Sequence, residues 1–140
     1  MLKNLRPKWS DYPRMVKLIF VIYMLCFLWA TKNHILDIWR GGFLPYTYAP
    51  LVFNIYWTSL TLLDPLAIIL LYYFPYYGMV LAVLIMVSDI AVNLYATYSF
   101  WNSDIFTNRS LQLQILFGIF LFLTVPILWK KIGTSTSKSA

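Results

Sequence analysis

Four apolar runs occupy most of this 140-residue chain. They extend over about Met15 to Thr31, Leu51 to Tyr73, Tyr76 to Tyr98 and Leu111 to Trp129. Each approaches the roughly 20 residues that an α-helix needs to cross the hydrocarbon core of a bilayer. A helix satisfies its own backbone N–H and C=O groups, which lipid cannot do, and no run alternates as a barrel strand would. The spacing therefore predicts an all-α integral membrane protein, a four-transmembrane-helix bundle. One domain covers residues 1–132. Residues 133–140, rich in Ser, Thr, Gly and Lys, form a tail expected to be disordered.

Composition agrees. Hydrophobic residues make up 61% and charged residues only 11%, against about 25% charged in soluble domains. The net charge of +6 does not point to nucleic acid, because the basic residues gather beside the apolar runs. Lys3, Arg6, Lys8, Arg14 and Lys17 precede or open the first span, and Lys130, Lys131 and Lys138 follow the last. Lys32, Arg40 and Arg109 fall in the two opposite loops. The positive-inside rule then places both termini in the cytoplasm. Tyr and Trp near the span ends read as interfacial belts. The membrane would be the plasma or inner membrane of a bacterium, or an endomembrane of a eukaryote. The first span reads as a retained anchor, since Trp29-Ala30-Thr31 is a poor cleavage site.

Two acids interrupt the apolar runs. Asp64 and Asp89 each lie about midway along a span, and ionisable groups at that depth usually mark function or a required polar contact. Pro65 follows Asp64 and cannot donate to the carbonyl of Thr61. An Asp-Pro pair is also the pattern of a helix start, so the span is expected to kink or restart there, with Asp64 capping the N–H of Leu66 or Ala67. Asn54, Thr58 and Thr61 share one helical face that leads to Asp64. Trp57, seven residues before Asp64, supplies an aromatic wall. In the third span Asp89, Asn93 and Thr97 recur every four residues as a polar stripe. Folding the two spans about Phe74-Pro75 leaves the two carboxyls offset by four residues, about 6 Å, within reach through a water or a ligand.

The remaining features are weaker. Gln114 and Gly118 share a face that admits close helix packing. The connection from Lys32 to Pro50 is expected to lie along the outer interface, broken at Gly41-Gly42. In it His34 and Asp37 read as a solvated pair, too few for a metal site. Asn108-Arg109-Ser110 matches a glycosylation acceptor but abuts the fourth span. Cys26, the single cysteine, has no intrachain disulfide partner. No catalytic set, metal cluster or cofactor motif is present in the sequence.

The four spans with acids set inside them resemble the arrangement in sterol isomerases and sigma-two-type receptors. The likeness covers topology and acid placement. The glutamates such proteins would carry are absent here, so it transfers no residue role. The leading expectation is binding of a small-molecule or lipidic ligand, with possible proton-coupled transport, between spans two and three. Asp64, Asp89, Asn93, Thr61, Asn54 and Trp57 would form the site. The alternative is an accessory or scaffold subunit, whose polar stripe faces a membrane partner or a second copy of the chain. A third reading is a membrane-embedded isomerase.

Overall fold

The computed structural model describes residues 9–138, with side chains described over 9–133. The basic residues Lys3, Arg6 and Lys8 and the last two residues of the tail lie outside it. After a 3-10 turn at Trp9–Asp11 come four α-helices: α1 (Arg14–Gly41), α2 (Leu51–Tyr73), α3 (Pro75–Ser99) and α4 (Arg109–Lys138). All four are long and apolar enough to cross a membrane. Consecutive helices pack against each other and α1 meets α4, closing the bundle. Outward faces carry exposed Leu18, Leu25, Leu62, Leu84, Leu116 and Leu123, as a lipid-facing surface requires.

Two helices run further than the apolar pattern indicates. α1 passes Thr31 and ends at Gly41, and Gly42 leaves the helix at φ 85°, a left-handed conformation that glycine adopts without a Cβ clash. Lys32 to Gly41 is therefore helix and not interfacial loop, which begins only at Gly42. The reason is local: polar residues end an apolar run, but they do not end a helix while backbone bonds continue and no breaker intervenes. At 28 residues, α1 is roughly 42 Å long, and its last turns stand beyond a 30 Å core or tilt within it. α4 likewise continues helical through residues 133–138, where composition leads one to expect a disordered tail.

The expected restart at Asp64-Pro65 does not occur. α2 is uninterrupted from Leu51 to Tyr73 with Pro65 inside it. Proline removes one backbone bond, and in a packed apolar helix the flanking bonds hold the rest.

The α2–α3 turn is set by two residues. Phe74 precedes a proline and takes extended angles (φ −142°, ψ 67°), while Pro75 opens α3, the position where its missing N–H is harmless. Gly78 then packs directly on the last turns of α2, and a Cβ there would overlap the backbone of Leu71. On the other side, Tyr23 of α1 is fully buried. Its hydroxyl donates to the Leu121 carbonyl at 3.1 Å and pairs with Thr124 of α4, and its ring meets Phe117 and Phe120 edge-on.

Gly78 and Gly118 make a controlled comparison. A Cβ at Gly118 would meet the tip of Ile90 at 2.6 Å, a flexible methyl that can turn away. Gly78→Ala should lower the thermal midpoint in detergent and cost about 1–3 kcal/mol, as overpacking against rigid atoms does. Gly118→Ala should cost less. Equal midpoints for the two variants would contradict this account of the turn.

Candidate functional site

The polar side chains converge in the half of the bundle that holds the C-terminal ends of α1 and α3, the N-terminal ends of α2 and α4, and the loops 42–50 and 100–108. They form two clusters, one around each acid.

The first cluster joins α1, the 42–50 loop and α2. Because α1 continues past Thr31, His34 and Asp37 lie one turn apart on the same helix face. His34 is not solvated: its side chain is 17% exposed. Its Nδ1 is 3.0 Å from the Tyr46 hydroxyl, and that hydroxyl donates to Asp37 Oδ2 at 2.9 Å. The other ring nitrogen, Nε2, lies 3.9 Å from Asp64 Oδ2. Asn54 holds the loop that delivers Tyr46. Its Oδ1 accepts from the Tyr46 N–H and its Nδ2 donates to the Leu44 carbonyl, each at 3.1 Å. Tyr46 lies in the loop, and its hydroxyl is held above the ordinary phenol range, first by burial, then by the bond to Asp37 and the charges of Asp37, Tyr48 and Asp89. It keeps its proton at neutral pH.

Asp64 is 2% exposed, and among the described residues its Oδ2 has no hydrogen-bond partner. The same is true of the buried Thr58 and Thr61 hydroxyls. These three groups follow one another along α2 at three-residue steps. Asp64 caps no N–H, since the helix does not restart.

The second cluster joins α2, α3 and α4. Asn93 Nδ2 donates to Asp89 Oδ1 at 2.9 Å and to Gln114 Oε1 at 3.1 Å. Gln114 Nε2 donates to Asp89 Oδ2. Trp57 Nε1 donates to Asn93 Oδ1 at 2.9 Å, so Trp57 is a polar bridge from α2 to α3 and not only an aromatic wall. Thr97 is fully buried and accepts from Asn108 Nδ2 at 2.9 Å. Asn108 Oδ1 in turn accepts from the Leu111 N–H at the start of α4. That side chain caps the helix and ties it to α3, a structural use of the residue in the acceptor sequence. The stripe Asp89, Asn93 and Thr97 thus spends its bonds inside the chain.

The two acids lie within electrostatic range of one another, and the Tyr56 hydroxyl, paired with Ser88 Oγ at 2.8 Å, is in range of both. Each carboxyl turns to a different neighbour, Asp64 to α1 and Asp89 to α4. Tyr46 links the clusters through its ring, edge-on to Trp57 at 5.2 Å between centroids. Trp101 stacks on Trp57 at 6.0 Å and Tyr48 covers both, roofing the polar interior with aromatic rings. Of the residues expected in a site, Asp64 and Thr61 share the α2 row, Asp89, Asn93 and Trp57 form the second cluster, and Asn54 serves the loop. His34, Asp37, Tyr46 and Gln114 complete the arrangement. The sequence signals for His34, Asp37 and Gln114 are the three-residue spacing of the first two and the face Gln114 shares with Gly118; Tyr46 carries no such signal.

Compared with protein-family models, curated proteins and solved structures, the chain matches none.

Gln114 supplies a donor to Asp89 from the facing helix. Gln114→Leu should destabilise the protein by about 1–2 kcal/mol, the range for a lost interhelical bond or an orphaned acceptor. Gln114→Glu, which keeps the shape but sets two carboxyls together, should cost more at pH 8 than at pH 5. Thermal unfolding of both variants at the two pH values checks this.

Proposed function

We propose that this chain is a multi-pass membrane protein, both termini cytoplasmic, that binds a small or lipidic ligand at the polar row on α2 where α1 packs. The carrying observation is the set of three buried oxygens that have no partner among the described residues: Thr58 Oγ1, Thr61 Oγ1 and Asp64 Oδ2. Buried polar groups in folded proteins are almost always bonded, and leaving one unbonded costs about 1–3 kcal/mol. A row of two hydroxyls ending in a carboxyl group suits a ligand that presents hydrogen-bond donors, an amine or hydroxyl headgroup, to an otherwise apolar wall. The cluster at Asp89 lacks that character, since both of its carboxyl oxygens accept bonds from Asn93 and Gln114. The site therefore moves from between α2 and α3 toward the α1–α2 side, with Asp89, Asn93 and Trp57 as its supporting wall. With both termini cytoplasmic, it lies nearer the opposite face of the membrane, behind the aromatic roof.

A residue held unsatisfied for a ligand is held at a cost to stability. In detergent, Asp64→Asn should raise the thermal midpoint by roughly 3–5 °C, while Asp89→Asn, which replaces a bonded carboxylate, should leave it unchanged or lower it. A saturated alkylamine or the alcohol of the same chain length should stabilise the wild type and not Asp64→Asn. The matching fatty acid should not stabilise either. No gain at Asp64 together with no stabilisation by amine or alcohol would rule out the site.

A further inference from the structure

We propose that Asp64, His34, Tyr46 and Asp37 form a proton-exchange path from the middle of α2 to the loop end of the bundle. It shares Asp64 with the ligand site but requires no ligand, so either can stand without the other.

The bond directions carry the argument. Tyr46 has one hydroxyl proton, and it is given to Asp37 Oδ2. In the contact with His34 Nδ1 the Tyr46 oxygen must then accept, so Nδ1 carries a proton. In a neutral imidazole only one nitrogen does, which leaves Nε2 as a bare lone pair. That lone pair faces Asp64 Oδ2 at 3.9 Å, an oxygen with no hydrogen-bond partner among the described residues. The separation is longer than a hydrogen bond, and one side-chain adjustment or one water closes it. Tyr46 sets the tautomer as outer partners of a working histidine commonly do.

One proton can then travel outward with every bond accounted for. The Asp64 O–H bond breaks and an Nε2–H bond forms on His34. The Nδ1–H bond breaks and its proton passes to the Tyr46 oxygen. The original Tyr46 proton passes to Asp37 Oδ2. The net change is a proton moved from Asp64 to Asp37, with His34 left as the other tautomer; the reverse sequence moves one inward. The charged and titratable groups facing this path are Asp37 on α1, Tyr46 and Tyr48 in the loop, Tyr56 and Asp64 on α2 and Asp89 on α3. Of the basic residues of α1 nearby, Lys32 is exposed and rests on the Trp29 ring at 3.9 Å, and Arg40 is exposed.

His34 is the only histidine in the chain, so histidine labelled with 15N reports this position without assignment. Nitrogen NMR of the full chain in detergent micelles, titrated over pH, should show the neutral ring as the Nδ1–H tautomer. Asp64→Asn should displace the His34 titration midpoint by about one pH unit, because it removes the group that shares a proton with Nε2 and so titrates together with the ring. Tyr46→Phe should switch the neutral ring toward the Nε2–H tautomer, and Asp89→Asn should leave the tautomer as in wild type. An Nε2–H tautomer in the wild type, or one midpoint shared by wild type and Asp64→Asn, would overturn the path. Should Asp64→Asn fail to fold, the wild-type and Tyr46→Phe tautomers decide. Neither outcome bears on stabilisation by amine or alcohol, so loss of the path and loss of the ligand site are separately visible.

Discussion

A carboxyl or amide taken out of water must be bonded by another side chain, and that requirement orients the helices of this bundle. Leu and Val faces pack in many rotations, since apolar contact has little direction. Asp89 does not allow this freedom. With Asn93 below it and Gln114 opposite, α3 and α4 are held in one register. Trp57 extends the same bond set to α2. On the far side Tyr23 does the equivalent for α1 and α4. Interhelical hydrogen bonds of this kind are worth only about 0.6–2 kcal/mol each in membranes, but they discriminate between packings that apolar contact leaves nearly equal.

Against that background the Asp64 region is an exception. The polar groups of the Asp89 cluster are joined to one another, whereas Asp64, Thr58 and Thr61 leave buried oxygens without a partner among the described residues. Both conditions occur a few residues apart in one protein, so the second does not follow from a general shortage of donors. Side chains that a fold leaves unsatisfied amid satisfied neighbours are where binding and proton transfer are best sought. The His34 ring lies between Asp64 and Tyr46, with Nε2 toward Asp64 Oδ2 and Nδ1 against the Tyr46 hydroxyl.

The aromatic roof is part of the same design. Tyr46, Tyr48, Trp57 and Trp101 each combine a large apolar face with a polar edge. Their faces seal the end of the bundle, and the edges of Tyr46 and Trp57 enter the two polar clusters. Asn54 fixes the loop beneath this roof through two bonds to its backbone, which makes it a positioning residue for Tyr46.

Much of this was legible in the residues themselves. Run length and charge composition point to four membrane-length helices, because lipid offers the backbone no partners and no run alternates as a barrel strand would. Phe74-Pro75 marks a helix end by sterics alone, and the four-residue spacing of Asp89, Asn93 and Thr97 places them on one face. What the linear pattern could not decide was which helix each polar face meets. Rotation of one helix about its axis leaves hydropathy unchanged, so Gln114 as the partner of Asp89 emerges only from packing. The course of α1 beyond Thr31 was hidden for another reason. Hydropathy reports where lipid ends, whereas a helix ends only where its backbone bonds do. That ten-residue extension brings His34 to Asp64, and only the tertiary structure could bring them together.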